Sequence, residues 1–364
     1  MTAAHINRIG TAVPPHEVHD SFVKFVSGTI EDPKLRILFD RMVSRASIEK
    51  RYSYLQPETL SDGTITDTER FYGLGDWPTT KARMERYHRT APALAVAAIG
   101  KLSDDMAGEG VTHLIVASCT GFVAPGLDQL IISQTGISPD VERTVVGFMG
   151  CYAAVNALRL AHHIVRSMPD ARVLVVTVEL CSLHFQRTAE LDRLLSMLLF
   201  GDGAAAALVT SEANGIELID FRAASIKGSA DSITWKIGDQ GFDMHLGGEV
   251  PSRIAEALSF ELKRNDGSGI LRGQTPEDFD LWAVHAGGRT ILDAVERSFS
   301  LPRKALSHSR AILRDFGNMS SATLMFVLSA MMSDHRKASE QSGMALAFGP
   351  GLAAETFRFR MLGL

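Results

Sequence analysis

The sequence predicts an α/β protein made of two similar halves. Short continuous apolar runs, which are typical of buried strands, alternate along the 364 residues with stretches whose apolar residues recur at helical spacing. The order strand, helix, strand occurs before residue 214 and again after it. We therefore predict a duplicated domain in which helices cover the sheets, with one half over residues 1–213 and the other over residues 214–364.

The first half begins with a polar region and then alternates. Residues 35–55 are rich in charge, and residues 61–78 have the composition of a loop. Apolar spacing predicts a helix over 90–107 and another after Cys151. The predicted strands of this half are THLIVASCT (112–120), RTVVGF (143–148), RVLVVTVEL (172–180) and GAAAALVTS (203–211).

The second half repeats the alternation to the carboxy terminus. Its predicted helices are SRIAEALSFELKR (252–264), TILDAVERSF (290–299) and ATLMFVLSAMMSDH (322–335). Its predicted strands are IELIDFRAAS (216–225), FDLWAVHAGG (279–288), MALAFGP (344–350) and ETFRFRML (355–362).

Composition argues against several classes of protein. The net charge of −5 gives no basic surface for nucleic acid. No apolar segment is long enough to span a bilayer, and the opening residues MTAAHINRIGTAVPP lack the cationic start and apolar stretch of a signal peptide. Three cysteines are too few for a disulfide framework, which favours a reducing compartment. We expect a cytoplasmic protein.

Three residues at the ends of predicted elements are candidate reactive groups. Cys151 follows a strand and opens a helix, where the partial positive charge of the helix amino terminus favours a thiolate. His285 ends a buried strand beside two glycines, and Asn318 stands where a helix begins. Each also has a structural interpretation: a small buried apolar residue for Cys151, a hydrogen-bonded core histidine for His285 and a helix cap for Asn318.

The segments around these residues resemble those of a known family. Type III polyketide synthases, the chalcone synthase-like enzymes, have signature segments similar to GCYAAVNALRLA (150–161), HAGGRTILDAVE (285–296), GNMSSAT (317–323) and AFGPGLAAET (347–356). The resemblance runs from about residue 35 to the carboxy terminus, and Cys119 with ELCSL (179–183) is closer to the bacterial members. It implies the thiolase fold, a duplicated five-layer αβαβα architecture, in a homodimer.

The resemblance also implies a reaction. Cys151 would accept a starter acyl group from coenzyme A, and His285 and Asn318 would bind the malonyl-CoA thioester and stabilise the enolate left by loss of carbon dioxide. His285 would also pair with Cys151 and hold it as thiolate. Repeated condensation and cyclisation would give an aromatic or pyrone polyketide of secondary metabolism, such as tetrahydroxynaphthalene, an alkylpyrone or an alkylresorcinol. Neither a tightly bound cofactor, a metal nor a carrier protein is expected.

Further residues match family positions one by one. Arg41 and Arg45 resemble residues that bind the phosphates of coenzyme A, although the usual lysine is replaced by Leu38. Phe200 and Met244 correspond to gatekeepers, the side chains between the coenzyme A tunnel and the cavity. The remaining matches are Cys119, Cys181, His184 and Trp235 for the cavity wall, Glu179 and Ser320 for ring closure, and Gly349, Pro350 and Gly351 for the cyclisation loop.

Three other functions fit parts of this pattern. A ketoacyl-ACP synthase that initiates fatty-acid chains shares the cysteine, histidine and asparagine, and a cysteine hydrolase uses the same three residue types. A thiolase-fold scaffold without activity is disfavoured because all three reactive positions are filled. The sequence leaves the starter, the number of extensions and the mode of cyclisation open.

Overall fold

A computed structural model describes residues 2–73, 77–102, 110–264, 266–334 and 340–362. The strands are β1 Ala4–Ala12, β2 His16–Glu17, β3 Tyr52–Ser53, β4 Pro57–Thr59, β5 Ile65–Asp67, β6 His113–Ser118, β7 Glu142–Gly147, β8 Val173–Leu180, β9 Asp202–Thr210, β10 Ile216–Ser225, β11 Ile233–Gly238, β12 Gly241–Leu246, β13 Leu281–Val284, β14 Gln341–Gly349 and β15 Ala353–Met361. The helices are α1 His19–Thr29, α2 Pro33–Ala46, α3 Thr80–Ile99, α4 Leu127–Gln134, α5 Ala153–Ser167, α6 Leu191–Leu199, α7 Val250–Leu262, α8 Arg289–Ser298, α9 Ser307–Phe316 and α10 Ser321–Asp334.

The main sheet repeats one topology twice. Its strand order is β13-β14-β15-β10-β1-β9-β8-β6-β7. In the first half β6 and β8 are parallel, and β9 and β1 follow as antiparallel neighbours. In the second half β13 and β14 are parallel, and β15 and β10 follow in the same antiparallel way. Pairing of β1 with β10 joins the two halves edge to edge, which confirms the predicted duplication.

Three apolar clusters separate the layers of the fold. One lies between α3, α4 and the first-half strands, with Leu94 and Val116 at its centre. A second buries α5 and α10 between the two halves of the sheet, and a third covers the other face of the second-half strands with α7, α8 and α9. α10 is apolar almost all round, as expected of a helix buried on both sides. This is the predicted thiolase fold with helix and sheet layers alternating.

The helix predicted over 90–107 has different bounds. It begins at Thr80, after Thr79 accepts a hydrogen bond from the Ala82 amide at 3.3 Å, and it ends at Ile99. Residues 103–107 of the prediction lie outside the described residues. Its first turns were missed because Arg83 and Arg86 are charged, which masks the apolar spacing, yet both are buried.

The polar amino-terminal region holds two helices that shape one side of the molecule. α2 begins where Asp32 accepts a hydrogen bond from the Lys34 amide at 2.9 Å and Pro33 occupies the first turn. It ends at Ser47, which has a left-handed φ of 58°. Within the described ranges, no helix combines the length and apolar character needed to cross a membrane.

Candidate active site

Cys151 lies on a tight turn that joins β7 to α5. Residues Gly150–Tyr152 form a single 3-10 turn, and α5 continues directly from it, as the sequence predicts. Gly150 has a φ of +79°, and a Cβ there would overlap the ring of Pro350. A Cβ on Gly349 would lie 2.6 Å from the ring of Tyr152. The two glycines therefore let the predicted cyclisation loop pack directly on the turn that carries Cys151.

The Cys151 thiol is enclosed by apolar side chains. It is 7% exposed and clusters with Cys181, Phe200 and Met244, the last two being the predicted gatekeepers. Burial raises the pKa of Cys151 to about 12, against hydrogen bonds from Ser320 and Asn318 that favour the thiolate. Desolvation therefore opposes the thiolate that the helix amino terminus is expected to favour.

The imidazole ring of His285 is buried without a hydrogen-bond partner among the described residues. It follows β13, is 1% exposed, and its backbone N–H donates to the Leu346 carbonyl at 2.8 Å. Neither ring nitrogen is hydrogen-bonded to any described residue, so the predicted pair with Cys151 is not formed. Burial lowers the pKa of His285 to about 3, which keeps the imidazole neutral. A buried ring left unpaired costs about 1–3 kcal/mol. It therefore does not fit the interpretation as a satisfied core histidine, and it points instead to a ligand.

The Asn318 side chain caps a helix with its oxygen and donates hydrogen bonds with its nitrogen. Its Oδ1 accepts from the Ser320 amide at 2.9 Å, just before α10, as the capping interpretation expected. Its Nδ2 donates to the Gly287 carbonyl at 3.3 Å and also interacts with the Cys151 thiol. Because Oδ1 is occupied by the backbone, the orientation of the amide is fixed with its N–H groups toward the nucleophile.

These contacts place Asn318 next to Cys151 and next to Gly287, the glycine that lies beside the His285 ring. Asn318 reaches Cys151 on one side and Gly287 on the other, and the Gly287 amide donates to the His285 carbonyl at 2.9 Å. A neutral imidazole N–H and a carboxamide N–H in a dry site are donors suited to a developing oxyanion. The same neutral imidazole can accept the thiol proton when an electrophile arrives.

Glu179 accepts hydrogen bonds from Cys119, Thr120 and Ser321. Its buried carboxylate accepts from the Cys119 amide at 3.0 Å, from Thr120 Oγ1 at 2.9 Å and from Ser321 Oγ. Ser320 has a left-handed φ of 46°, and its side chain goes to Cys151 while that of Ser321 goes to Glu179. Thr120 and Ser321, which bind Glu179, were not among the residues predicted from the sequence.

Two large side chains predicted for the cavity wall are fixed by backbone contacts. Trp235 Nε1 donates to the Cys119 carbonyl at 2.8 Å, which fixes the orientation of the indole. His184 Nε2 donates to the Thr120 carbonyl at 2.8 Å, and its Nδ1 accepts from the Phe242 amide at 3.0 Å. Burial lowers the pKa of His184 to about 3, so its neutral ring links the backbone at Thr120 to the backbone at Phe242.

A pocket of about 560 Å³ leads from the surface to the glycines beside His285. Arg41 and Arg45 line its outer part, together with Leu38, the position where the family's lysine is missing. Arg289 lines it as well, at the first position of α8. No acidic residue is among the described residues that line this pocket, so it suits an anionic ligand. The sequence did carry a signal for Arg289, because a cation opposes the dipole at a helix amino terminus.

Metal chemistry has no visible site in the described part of the chain. No group of three or more His, Cys, Asp or Glu side chains there is placed to hold an ion. All three cysteines are free and buried.

The fold and this site define a class of enzyme. A buried cysteine opens a helix of the first half, a carboxamide of the second half contacts it, and a buried imidazole lies next to the glycine that this carboxamide binds. Such an arrangement in a thiolase fold suits a condensing acyltransferase. Models of the chalcone and stilbene synthase family match the chain over almost its whole length, the amino-terminal domain over residues 2–213 and the carboxy-terminal domain over residues 221–363. The chain belongs to this family of type III polyketide synthases, acyltransferases that make polyketides by condensation of coenzyme A thioesters.

Individual relatives agree with this assignment. The chain is 30% identical to type III polyketide synthase A of Arabidopsis thaliana, over 97% of this chain and 92% of that one. It is equally similar to the alpha-pyrone synthesis polyketide synthase-like Pks18 of Mycobacterium tuberculosis, over 99% and 92%. The crystal structure of PKS-I from the brown alga Ectocarpus siliculosus superposes with a TM-score of 0.87 at 28% identity, covering 100% of this chain and 99% of that one.

Glu179 should make the stability of the fold depend on pH. Burial raises its pKa to about 7 from 4.5, so between these pH values the folded chain keeps a proton that the unfolded chain has lost. This contribution therefore destabilises the folded state progressively as pH rises through that window. Since one pKa unit corresponds to about 1.4 kcal/mol, we expect Glu179→Gln to gain about 2 kcal/mol in unfolding free energy, relative to wild type, between pH 5 and pH 8.

Urea unfolding at the two pH values measures this difference. Glu58→Gln, at an exposed glutamate of β4, is the control and should show the same difference from wild type at both. A difference between Glu179→Gln and wild type that does not change with pH would contradict a buried carboxyl of raised pKa.

Proposed function

We propose that the protein condenses an acyl-CoA starter with malonyl-CoA extender units by iterative decarboxylative Claisen chemistry and then cyclises the chain. The observation that carries the proposal is the unpaired His285 ring next to Gly287, whose carbonyl accepts from the same Asn318 carboxamide that contacts the Cys151 thiol. Donors aimed at an empty position need a ligand that supplies an oxyanion, and the enolate of a thioester is such a ligand.

The first step loads the starter. His285 takes the proton of Cys151 while the sulfur attacks the thioester carbonyl, and the bond to coenzyme A breaks with return of the proton to the leaving thiolate. The high pKa of the buried thiol means that this proton transfer accompanies the attack rather than preceding it. The gatekeepers Phe200 and Met244 pack at the thiol and restrict what can reach it.

The second step makes the carbon–carbon bond. Malonyl-CoA places its thioester oxygen between His285 and Asn318, the bond to the carboxylate breaks, and carbon dioxide leaves an enolate that both donors stabilise. The enolate carbon attacks the acyl thioester on Cys151 and releases the sulfur. The extended chain, now on coenzyme A, returns to Cys151 for the next cycle.

The cavity restricts the product. We propose an aromatic or pyrone polyketide, with tetrahydroxynaphthalene, an alkylpyrone or an alkylresorcinol as candidates, because the fixed Trp235 indole removes room for a bulky aromatic starter. Gly349 and Pro350 pack on the turn that carries Cys151, which supports a role for the loop of Gly349, Pro350 and Gly351 in shaping the end of the cavity. Glu179, through Ser321 and Thr120 rather than Ser320, is the group placed to influence ring closure.

We also propose the oligomeric state, the cellular location and the domain division of the enzyme. Phe122, Val145 and Met149 are exposed around the edge strand β7 and the nucleophile turn, which supports a homodimer through this face. Three free thiols and coenzyme A substrates support a cytoplasmic location. The joint between β1 and β10 supports a division into residues 1–213, which carry the nucleophile, and residues 214–364, which carry the two donors.

One incubation tests the reaction as a whole. Purified protein receives malonyl-CoA and a panel of acyl-CoA starters without carrier protein, and products are identified by mass. We expect carbon dioxide release and a product whose mass equals one starter plus several two-carbon units. Activity only with a malonyl carrier protein would favour a ketoacyl-ACP synthase, and free acid without carbon dioxide would favour a hydrolase.

Asn318→Ala should slow malonyl-CoA decarboxylation by about 10²-fold or more, the usual cost of one lost oxyanion donor. Carbon dioxide release in the absence of starter measures this step alone. Asn156→Ala, on the middle helix α5 and bonded to Glu355, is the control and should keep the wild-type rate. Unchanged release by Asn318→Ala would remove Asn318 from the mechanism.

Arg289 should supply the third cation for the phosphates of coenzyme A. Because a charge-assisted hydrogen bond contributes roughly 1.5–3 kcal/mol, Arg289→Gln should raise KM for malonyl-CoA about tenfold or more and leave kcat within about twofold. KM for malonyl N-acetylcysteamine thioester, which has no phosphates, should not change. Leu38→Lys in the same variant should restore much of the affinity, because Leu38 lines the same pocket.

Arg303→Gln is the matched control for this pair of variants, since Arg303 is exposed and lies outside the pocket. Equal rises in KM for both thioesters, or no rise for malonyl-CoA, would contradict phosphate binding by Arg289.

A further inference from the structure

Arg51 is a buried cation outside the catalytic set. It is 1% exposed, and no described carboxylate lies within ion-pair distance of it. Burial lowers the pKa of Arg51 to about 9, partly offset by the charge of Asp202, so the group stays protonated at neutral pH. Burying a guanidinium is costly unless its donors are used, so its contacts indicate what it stabilises.

Arg51 binds the carboxy-terminal end of α6. Its Nη1 donates to the carbonyls of Met197 and Phe200, both at 2.9 Å, and its Nε donates to His19 Nδ1 at 3.0 Å. Carbonyls at a helix end have no partner within the helix and carry partial negative charge. One side chain thus fixes the backbone of the gatekeeper Phe200.

The residues on either side of Phe200 hold Asn318. The backbone N–H of Asn318 donates to the Leu199 carbonyl at 2.8 Å, and the backbone N–H of Gly201 donates to the backbone carbonyl of Asn318 at 2.9 Å. With these two bonds in place, the Phe200 carbonyl is directed away from Asn318. It accepts a hydrogen bond from Arg51 instead. The position of Asn318 therefore depends on a short segment that Arg51 restrains.

The stem of Arg51 also packs against the residue before Asn318. Gly317 has a φ of +69°, and a Cβ there would lie 2.9 Å from Arg51 Cγ and 2.8 Å from the Leu199 carbonyl oxygen. No other residue type fits this approach without displacement. Arg51 consequently contacts the Asn318 segment directly as well as through residues 199–201.

We propose that Arg51 is a positioning residue, which holds the Asn318 carboxamide and the Phe200 ring in place around Cys151 without touching substrate. The inference rests on the proposed function, since its effect is read through the malonyl-CoA reaction. It predicts that Arg51 acts on decarboxylation through Asn318 rather than through the stability of the fold.

A double-mutant comparison separates these two effects. Acylation of Cys151, counted by intact-protein mass, gives the number of competent sites, and carbon dioxide release from malonyl-CoA is expressed per site. We expect Arg51→Met to lower the rate per site about tenfold or more and Arg51→Lys, which keeps the charge and part of the donor set, to recover part of it. Adding Arg51→Met to Asn318→Ala should cause less than a twofold further loss.

Arg86→Met is the matched control. Arg86 is also buried, binds Glu69 at 2.6 and 2.9 Å, and lies on α3, so its loss reports only the cost of removing a buried guanidinium. It should lower the melting temperature and the number of competent sites but not the rate per site.

Three results would overturn the inference. A wild-type rate per site in Arg51→Met would make Arg51 purely structural, and losses that multiply in the double variant would mean that it does not act through Asn318. If Arg51→Met does not fold, an unchanged rate per site in Arg51→Lys counts against the proposal in the same way. Wild-type protein that releases no carbon dioxide from malonyl-CoA would instead refute the proposed function itself.

Discussion

The pairing of Asn318 with residues 199–201 is the constraint on which the site depends. Asn318 belongs to the second half of the chain and the paired segment to the first, so two backbone hydrogen bonds place a donor from one half at the nucleophile of the other. The joint between β1 and β10 and the shared helices α5 and α10 fix the halves around this point. Gly150, which has no Cβ, lets the turn that carries Cys151 pack directly on Pro350 of the second half.

Desolvation decides the charge state of the site. Burial raises the pKa of Cys151 to about 12, against hydrogen bonds from Ser320 and Asn318, and it lowers the pKa of His285 to about 3. Burial therefore favours the neutral forms of the thiol and of the imidazole. A dry site strengthens interactions with an oxyanion formed inside it, while the arginines that line the nearby pocket suit an anionic ligand.

Much of the fold and the reactive set could be predicted from the sequence. Continuous apolar runs mark the central strands, and Cys151, His285 and Asn318 stand at element ends where side chains converge. The bounds of α3 could not be predicted, because Arg83 is buried against the Phe185 carbonyl, 102 positions away, and Arg86 against Glu69, 17 positions away. The choice between Ser320 and Ser321 depends on one left-handed residue, and the contribution of Arg51 depends on carbonyls about 150 positions away.

Loss of the nucleophile tests most directly whether acyl transfer and enolate stabilisation are divided between the two halves. Purified Cys151→Ala is given malonyl-CoA alone and then a starter acyl-CoA, with carbon dioxide and intact-protein mass as the two measurements. The account predicts that carbon dioxide release stays within about tenfold of wild type while no acyl group becomes attached to the protein. An acyl adduct on Cys119 or Cys181, or the disappearance of carbon dioxide release together with acylation, would contradict it.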